Sequence, residues 1–154
     1  MDHLLIPVSV QCAIVFSGLF LWVGMLTGVW KYWQIRHSIQ ARAHYYVDIA
    51  HRSSLLYAPA SLILAVLAYF SQFPEWVNLL CVWVNLVFFS FSILSYILHG
   101  VLQDTTNQFK TPHRLGSKWT VPTWCMSLAM LLLVIGELGA TLLLILGTLM
   151  RFLS

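Results

Sequence analysis

His44, Asp48 and His51 follow one another at i, i+4 and i+7, which on a helix sets two imidazoles and a carboxylate along one face. Asn85, Ser92, Tyr96 and His99 fall at i, i+7, i+11 and i+14, again one helical face. Gln103, Asp104, Asn107 and His113 come next and add ligands and hydrogen-bond partners. Metal ligation is the most general chemistry for such a set. A neutral imidazole is the commonest biological metal ligand, and haem iron takes an axial histidine whose other nitrogen is held by an acceptor. His44 or His51 could serve in either way. His44, Asp48, His51 and His99 together would suit zinc, iron or copper.

The chain contains no Cys-x-x-Cys-His run, so covalent attachment of a c-type haem is excluded. It also contains no His-Glu-x-x-His, Gly-rich phosphate loop or Gly-x-Ser-x-Gly, the marks of metalloproteases, nucleotide-binding proteins and α/β-hydrolases. Other polar residues have plainer roles. His37 and His113 read as interfacial loop histidines. Arg52 either neutralises Asp48 at i+4 or extends its guanidinium to the membrane surface. Glu137, beside Gly136 and Gly139 in an apolar stretch, must be neutral or paired at that depth, and a hydrogen bond between helices would suffice.

The elements that carry these residues are set by composition. The 154 residues are 60% hydrophobic and 8% charged, with a mean hydropathy of +0.82, against about 25% charged in a soluble domain. A net charge of +3 from eight basic and five acidic residues makes no surface for nucleic acid. A membrane-spanning helix needs about 20 apolar residues. Four stretches supply them, at about residues 5–30, 43–70, 76–101 and 121–152, and predict a single all-α domain, an integral membrane four-helix bundle. The first stretch carries no cleavage signal and is expected to remain as a helix. Pro59 is expected to kink the second.

Residues 71–75 give a tight connection that makes the second and third spans antiparallel neighbours, so His44, Asp48 and His51 are expected to approach Tyr96 and His99. Residues 31–41 and 102–120 form longer connections at the other face. Lys31, Arg36, Arg42, Lys110, Arg114 and Lys118 lie on that side against Arg151 opposite, which places both long loops in the cytoplasm and both termini on the non-cytoplasmic side. The expected location is the cytoplasmic membrane. Trp30, Tyr32, Trp33, Trp76, Trp119 and Trp124 lie near span ends, where amphipathic rings meet lipid headgroups. Gly24 and Gly28 form a small-xxx-small pair that permits close helix approach, within the chain or between copies. Cys12, Cys81 and Cys125 lie in apolar stretches as small hydrophobes.

The run Ala41-Arg42-Ala43-His44 after the first span, in a chain of this length and span count, resembles the styrene oxide isomerase family and its relatives, the hydroxylaminobenzene mutases. The resemblance implies a small four-helix membrane enzyme that isomerises an epoxide or hydroxylamine without net redox change. It implies a b-type haem at a homotrimer interface, with His44 as axial ligand and Tyr96 as the group orienting the substrate. Ferric iron would act as a Lewis acid on an aryl epoxide, and Phe88, Phe89 and Phe91 would help to exclude water. The family has an asparagine six residues after its histidine, where this chain has Ala50, followed by His51. Asp48 and His51 have no counterpart there and become candidate catalytic residues for a different small organic molecule.

Three functions follow as expectations. The first is a haem b isomerase with His44 and Tyr96, and the second a non-haem metal-dependent hydrolase or oxidoreductase with His44, His51 and His99 as ligands. The third is a non-enzymatic membrane subunit or transporter. Lipids, a small apolar substrate and further copies of the chain are the expected partners.

Overall fold

The computed structural model describes residues 6–116 and 119–154, and Arg114 by its backbone alone. Lys118, one of the basic residues counted above, lies outside the described residues. The elements run α1 (Val8–His37), α2 (Tyr45–Phe70), α3 (Glu75–Leu102), β1 (His113–Leu115), β2 (Trp119–Val121) and α4 (Thr123–Leu153). All four helices are long and apolar enough to cross a membrane, and the chain is a multi-span integral membrane protein built as an α-helical bundle.

Two features differ from the sequence expectation. α1 continues past Trp30 to His37, because residues 31–37 contain neither glycine nor proline and Trp33 O accepts the His37 Nδ1–H at 2.8 Å. The third connection is not wholly irregular. β1 and β2 pair antiparallel in the register His113–Val121 and Leu115–Trp119, turning back toward the bundle just before Pro122 starts α4. α2 runs as one helix through Pro59.

Apolar side chains gain little by leaving lipid for one another, so helices in a membrane associate through close packing and interhelical hydrogen bonds. The buried face of α2 shows this directly. Ala50, Ser54, Ala58, Ser61, Ala65 and Ala68 recur at three- and four-residue intervals and are all buried. The hydroxyls of Ser54 and Ser61 return to Ala50 O and Tyr57 O, at 2.7 and 2.9 Å, so the stripe exposes little unsatisfied polarity. Phe20, Leu64, Val82, Leu86, Phe89 and Leu144 fill the core around it. Most of α4 faces outward, and Ala140, Leu144, Gly147 and Thr148 are its buried residues.

The end of the bundle away from the hairpin is fixed by polar clamps. Glu75 of α3 accepts from Ser9 N at 2.7 Å and Ser9 Oγ at 3.0 Å, satisfying a free N–H at the start of α1. Thr148 donates to Leu67 O at 2.9 Å, and Gln72 N to Gly147 O at 3.1 Å, seating α4 on the α2–α3 turn. At the other end α1 and α2 touch at two glycines. A Cβ on Gly24 would stand 2.6 Å from Leu55 Cδ2, and one on Gly28 would stand 2.8 Å from His51 Cε1.

The His51 ring cannot swing away freely, because its Nδ1–H is held by Gly24 O at 2.8 Å. Gly28→Ala is therefore expected to destabilise the bundle by about 1–3 kcal/mol through overpacking. His51→Ala in the same chain should recover part of that loss, read as the midpoint of unfolding in mixed detergent micelles.

Candidate functional site at the hairpin end

His44 stands before α2, as its N-cap, with extended backbone (φ −60°, ψ 142°). Its N–H is held by Gln34 Oε1 of α1 at 2.8 Å, and its Nδ1 accepts the Tyr46 N–H at 3.4 Å. A residue outside the helix does not share the helix's face, so the spacing His44, Asp48, His51 does not align the three. Asp48 turns to α1, where it pairs with Lys31 Nζ at 2.5 Å and also with Arg52. His51 turns the same way, to Gly24 O. The expectation that all three meet Tyr96 and His99 is corrected here. Small residues, not polar ones, form the face of α2 that packs into the bundle, and Asp48 and His51 lie to one side of it.

What α2 presents to α3 is Tyr46, at the head of the small-residue stripe and 3% exposed. Its ring stacks on Tyr96 with centroids 6.0 Å apart and lies 5.1 Å from the His99 ring. Its hydroxyl accepts the Gln108 N–H, tying the third connection down onto the helices. Tyr46 was not singled out from the sequence, although its spacing ahead of Ala50, Ser54 and Ala58 marks the buried face.

His99, 7% exposed near the end of α3, donates from Nδ1 to Asp104 Oδ1 at 2.8 Å. The other carboxylate oxygen, Oδ2, accepts the Gly116 N–H at 2.6 Å. Between them Gln103 closes α3 in the left-handed region (φ 49°), which turns the chain sharply enough for Asp104 to reach back. With its proton assigned to Nδ1 by the carboxylate, a neutral His99 ring keeps the Nε2 lone pair free to act as base or ligand. His113 is buried as well and donates from Nδ1 to Gln108 O at 2.9 Å, so it supports the loop.

Two cavities of about 540 Å³ each adjoin these groups. One is polar and lies over His44, bounded by residues 103–108 and 110–112. The other lies between α3, α4 and the hairpin. His99, Tyr96 and Gln108 stand at its polar end, and Phe91, Met126, Met130 and Leu133 are among its apolar walls.

Burial pushes the His44 imidazole below its ordinary value. The Asp104 carboxylate opposes this shift and His99 adds to it, leaving the net direction downward. Burial pushes Asp104 up, but the Gly116 N–H, its own N–H and His99 outweigh it and hold the carboxyl below its usual range. At neutral pH the end of the bundle thus holds an uncharged His44 beside an ionised Asp104.

Among the described residues no three of His, Cys, Asp and Glu come together as a metal-binding group. The set His44, His51 and His99 is accordingly not assembled, since His51 is committed to α1. Comparison with known protein families, characterised proteins and solved structures finds no match to the chain.

A depressed histidine value has a definite consequence for stability. What the neutral ring contributes is present above the ordinary 6.5 and is lost as pH falls through the folded value. His44 should titrate below 6.5 in a histidine NMR titration assigned with His44→Gln. Asp104→Asn should move it lower still, because the one raising influence is gone.

Proposed function

We propose that the chain is a membrane-embedded enzyme of isomerase type, which takes a small apolar organic molecule into the cavity between α3 and α4 and rearranges it without net redox change. The observation that carries this reading is the polar end of that cavity. An Asp104-oriented His99 and the Tyr96 hydroxyl share one apolar chamber. A lone imidazole could be a helix cap, but a buried imidazole–carboxylate pair facing an apolar cavity is an arrangement for proton transfer or ligation.

In this reading Tyr96 orients the polar atom of the substrate, and His99 Nε2 accepts or returns a proton while Asp104 holds its tautomer. Phe91, Met126, Met130 and Leu133 exclude water from the reacting carbon. The resemblance to styrene oxide isomerases makes an aryl epoxide the candidate substrate and haem b the candidate cofactor.

The donor chemistry of His44 would suit a residue that holds haem iron. Its ring is neutral at physiological pH, and Nε2 has no hydrogen-bond partner among the described residues. A ligating ring protonated at Nδ1 would give up the 3.4 Å Tyr46 contact, the longest hydrogen bond of the site. Haem held there would supply Lewis-acid chemistry on the side of the polar cavity that His44 lines. Gly18 and Gly139 face open space and leave small-residue surfaces on which copies could assemble, in keeping with a homotrimer. The basic residues beside the site support a position at the cytoplasmic face of the cytoplasmic membrane.

Protein purified in detergent from haem-supplied cells should show a Soret band that shifts on reduction. His44→Ala should abolish the band and His51→Ala should retain it. A colourless wild-type protein would remove haem from the proposal, and an unchanged band in His44→Ala would move the ligand elsewhere.

A further inference from the structure

α3 and α4 meet along one half of their length and part along the other. The buried residues of α4, Ala140, Leu144, Gly147 and Thr148, all lie in its second half. A tight approach remains at Gly136, where an added Cβ would stand 2.7 Å from Phe88 and 3.2 Å from Val84. Six residues from that contact on each helix, toward the hairpin, stand Leu94 and Met130, and both line the apolar cavity. That is a rise of about 9 Å at 1.5 Å per residue. The cavity is therefore a wedge that begins beyond Gly136 and runs to the hairpin.

The sides of this wedge toward water and toward lipid differ. At its wide end Gln108, Phe109, His113, Leu115 and Val121 line it, so the third connection forms a roof on the aqueous side. The roof is tied down: Tyr46 accepts the Gln108 N–H, Asp104 accepts the Gly116 N–H, and the buried His113 donates to Gln108 O. The flank between the helices has no such cover among the described residues. Phe91, Leu94 and Leu98 follow at i, i+3 and i+7 on one face of α3, line the cavity, and are 57, 64 and 43% exposed. Met130 lines it from α4 and is also exposed. All four lie within the spans, where the medium at an exposed face is hydrocarbon. Side chains that bound the cavity and meet lipid at once are the lips of an opening.

We infer that the chamber opens sideways into the bilayer, between α3 and α4, and receives its ligand from the hydrocarbon rather than from the aqueous phase. This rests on the reading of the chamber as the substrate site and specifies the substrate class. The ligand is an uncharged molecule that dissolves in lipid and carries a polar atom to present to Tyr96 and His99. Charged molecules are excluded at the lips by the cost of entering hydrocarbon. An opening onto lipid also admits the substrate without admitting water to the reacting carbon.

Cys125 lines the chamber and carries a free thiol, which makes it a native reporter of access. The full chain in liposomes is treated with N-phenylmaleimide, which partitions into lipid, or with N-hydroxyethylmaleimide, which stays in water. Peptide masses read Cys125 separately from Cys12 and Cys81. With each rate divided by that of glutathione in the same buffer, the phenyl reagent should label Cys125 at least about tenfold faster, as the transfer of one aromatic ring into lipid requires. Leu94→Trp and Met130→Trp should each slow this labelling several-fold by narrowing the lips. Leu131→Trp, on an exposed face of α4 away from the cavity, should not. Equal rates for the two reagents, no reaction at Cys125, unchanged labelling in both lip variants, or equal slowing by Leu131→Trp would each overturn the inference. None of these readings depends on haem or turnover, so the Soret result stands or falls separately.

Discussion

The structure depends on a constraint that lipid imposes: helices with apolar surfaces are not driven together by leaving the solvent, and must instead fit. In this chain the fit is made by α2. Its alanine and serine stripe lets neighbouring helices approach, and its hydroxyls bond back to their own helix, so contact costs no stranded polar group. Gly24 and Gly28 do the same for α1, where the close surfaces are Leu55 and the ring of His51. The rotation of α2 about its axis follows from this packing. With the stripe turned inward, Tyr46 must face α3, and Asp48 and His51 must face α1.

The site at the hairpin end is a consequence of that rotation and of one carboxylate. Asp104 binds His99 with one oxygen and the Gly116 N–H with the other, so the same group orients an imidazole and holds the β-hairpin over it. Tyr46 reinforces the arrangement from below through Gln108. Such doubling is economical in a chain with five acidic residues. Three of them meet specific partners: Glu75 caps α1, Asp48 joins Lys31 and Arg52, and Asp104 builds the site. Glu137 stands apart, with its Oε1 buried and without a hydrogen bond among the described residues.

The sequence made the bundle legible because length and hydropathy are additive properties of a segment. Four runs of sufficient length must be helices, since a backbone in hydrocarbon has to satisfy its own hydrogen bonds. The short connection at residues 71–75 likewise dictated an antiparallel pair. Tyr96 and His99 were legible as cavity residues because their spacing continued the face of Asn85 and Ser92, and all of them are on a helix that does contain them. The hairpin was not legible. Strands of three residues carry too little pattern, and they exist because Asp104 and Tyr46 draw the chain back.

By itself, then, the sequence determined a four-helix membrane protein with an imidazole-rich polar end and one deep carboxyl. Which polar residues share a site was decided only in three dimensions. Helical spacing relates side chains on one helix, but it is silent on which of several faces packs inward and on where the helix begins. His44 fell one residue before α2, and the small-residue stripe, by winning the buried face, sent Asp48 and His51 to α1. The histidine that remained, His99, gained its partner from a loop five residues on, through a left-handed turn at Gln103 that no periodicity announces.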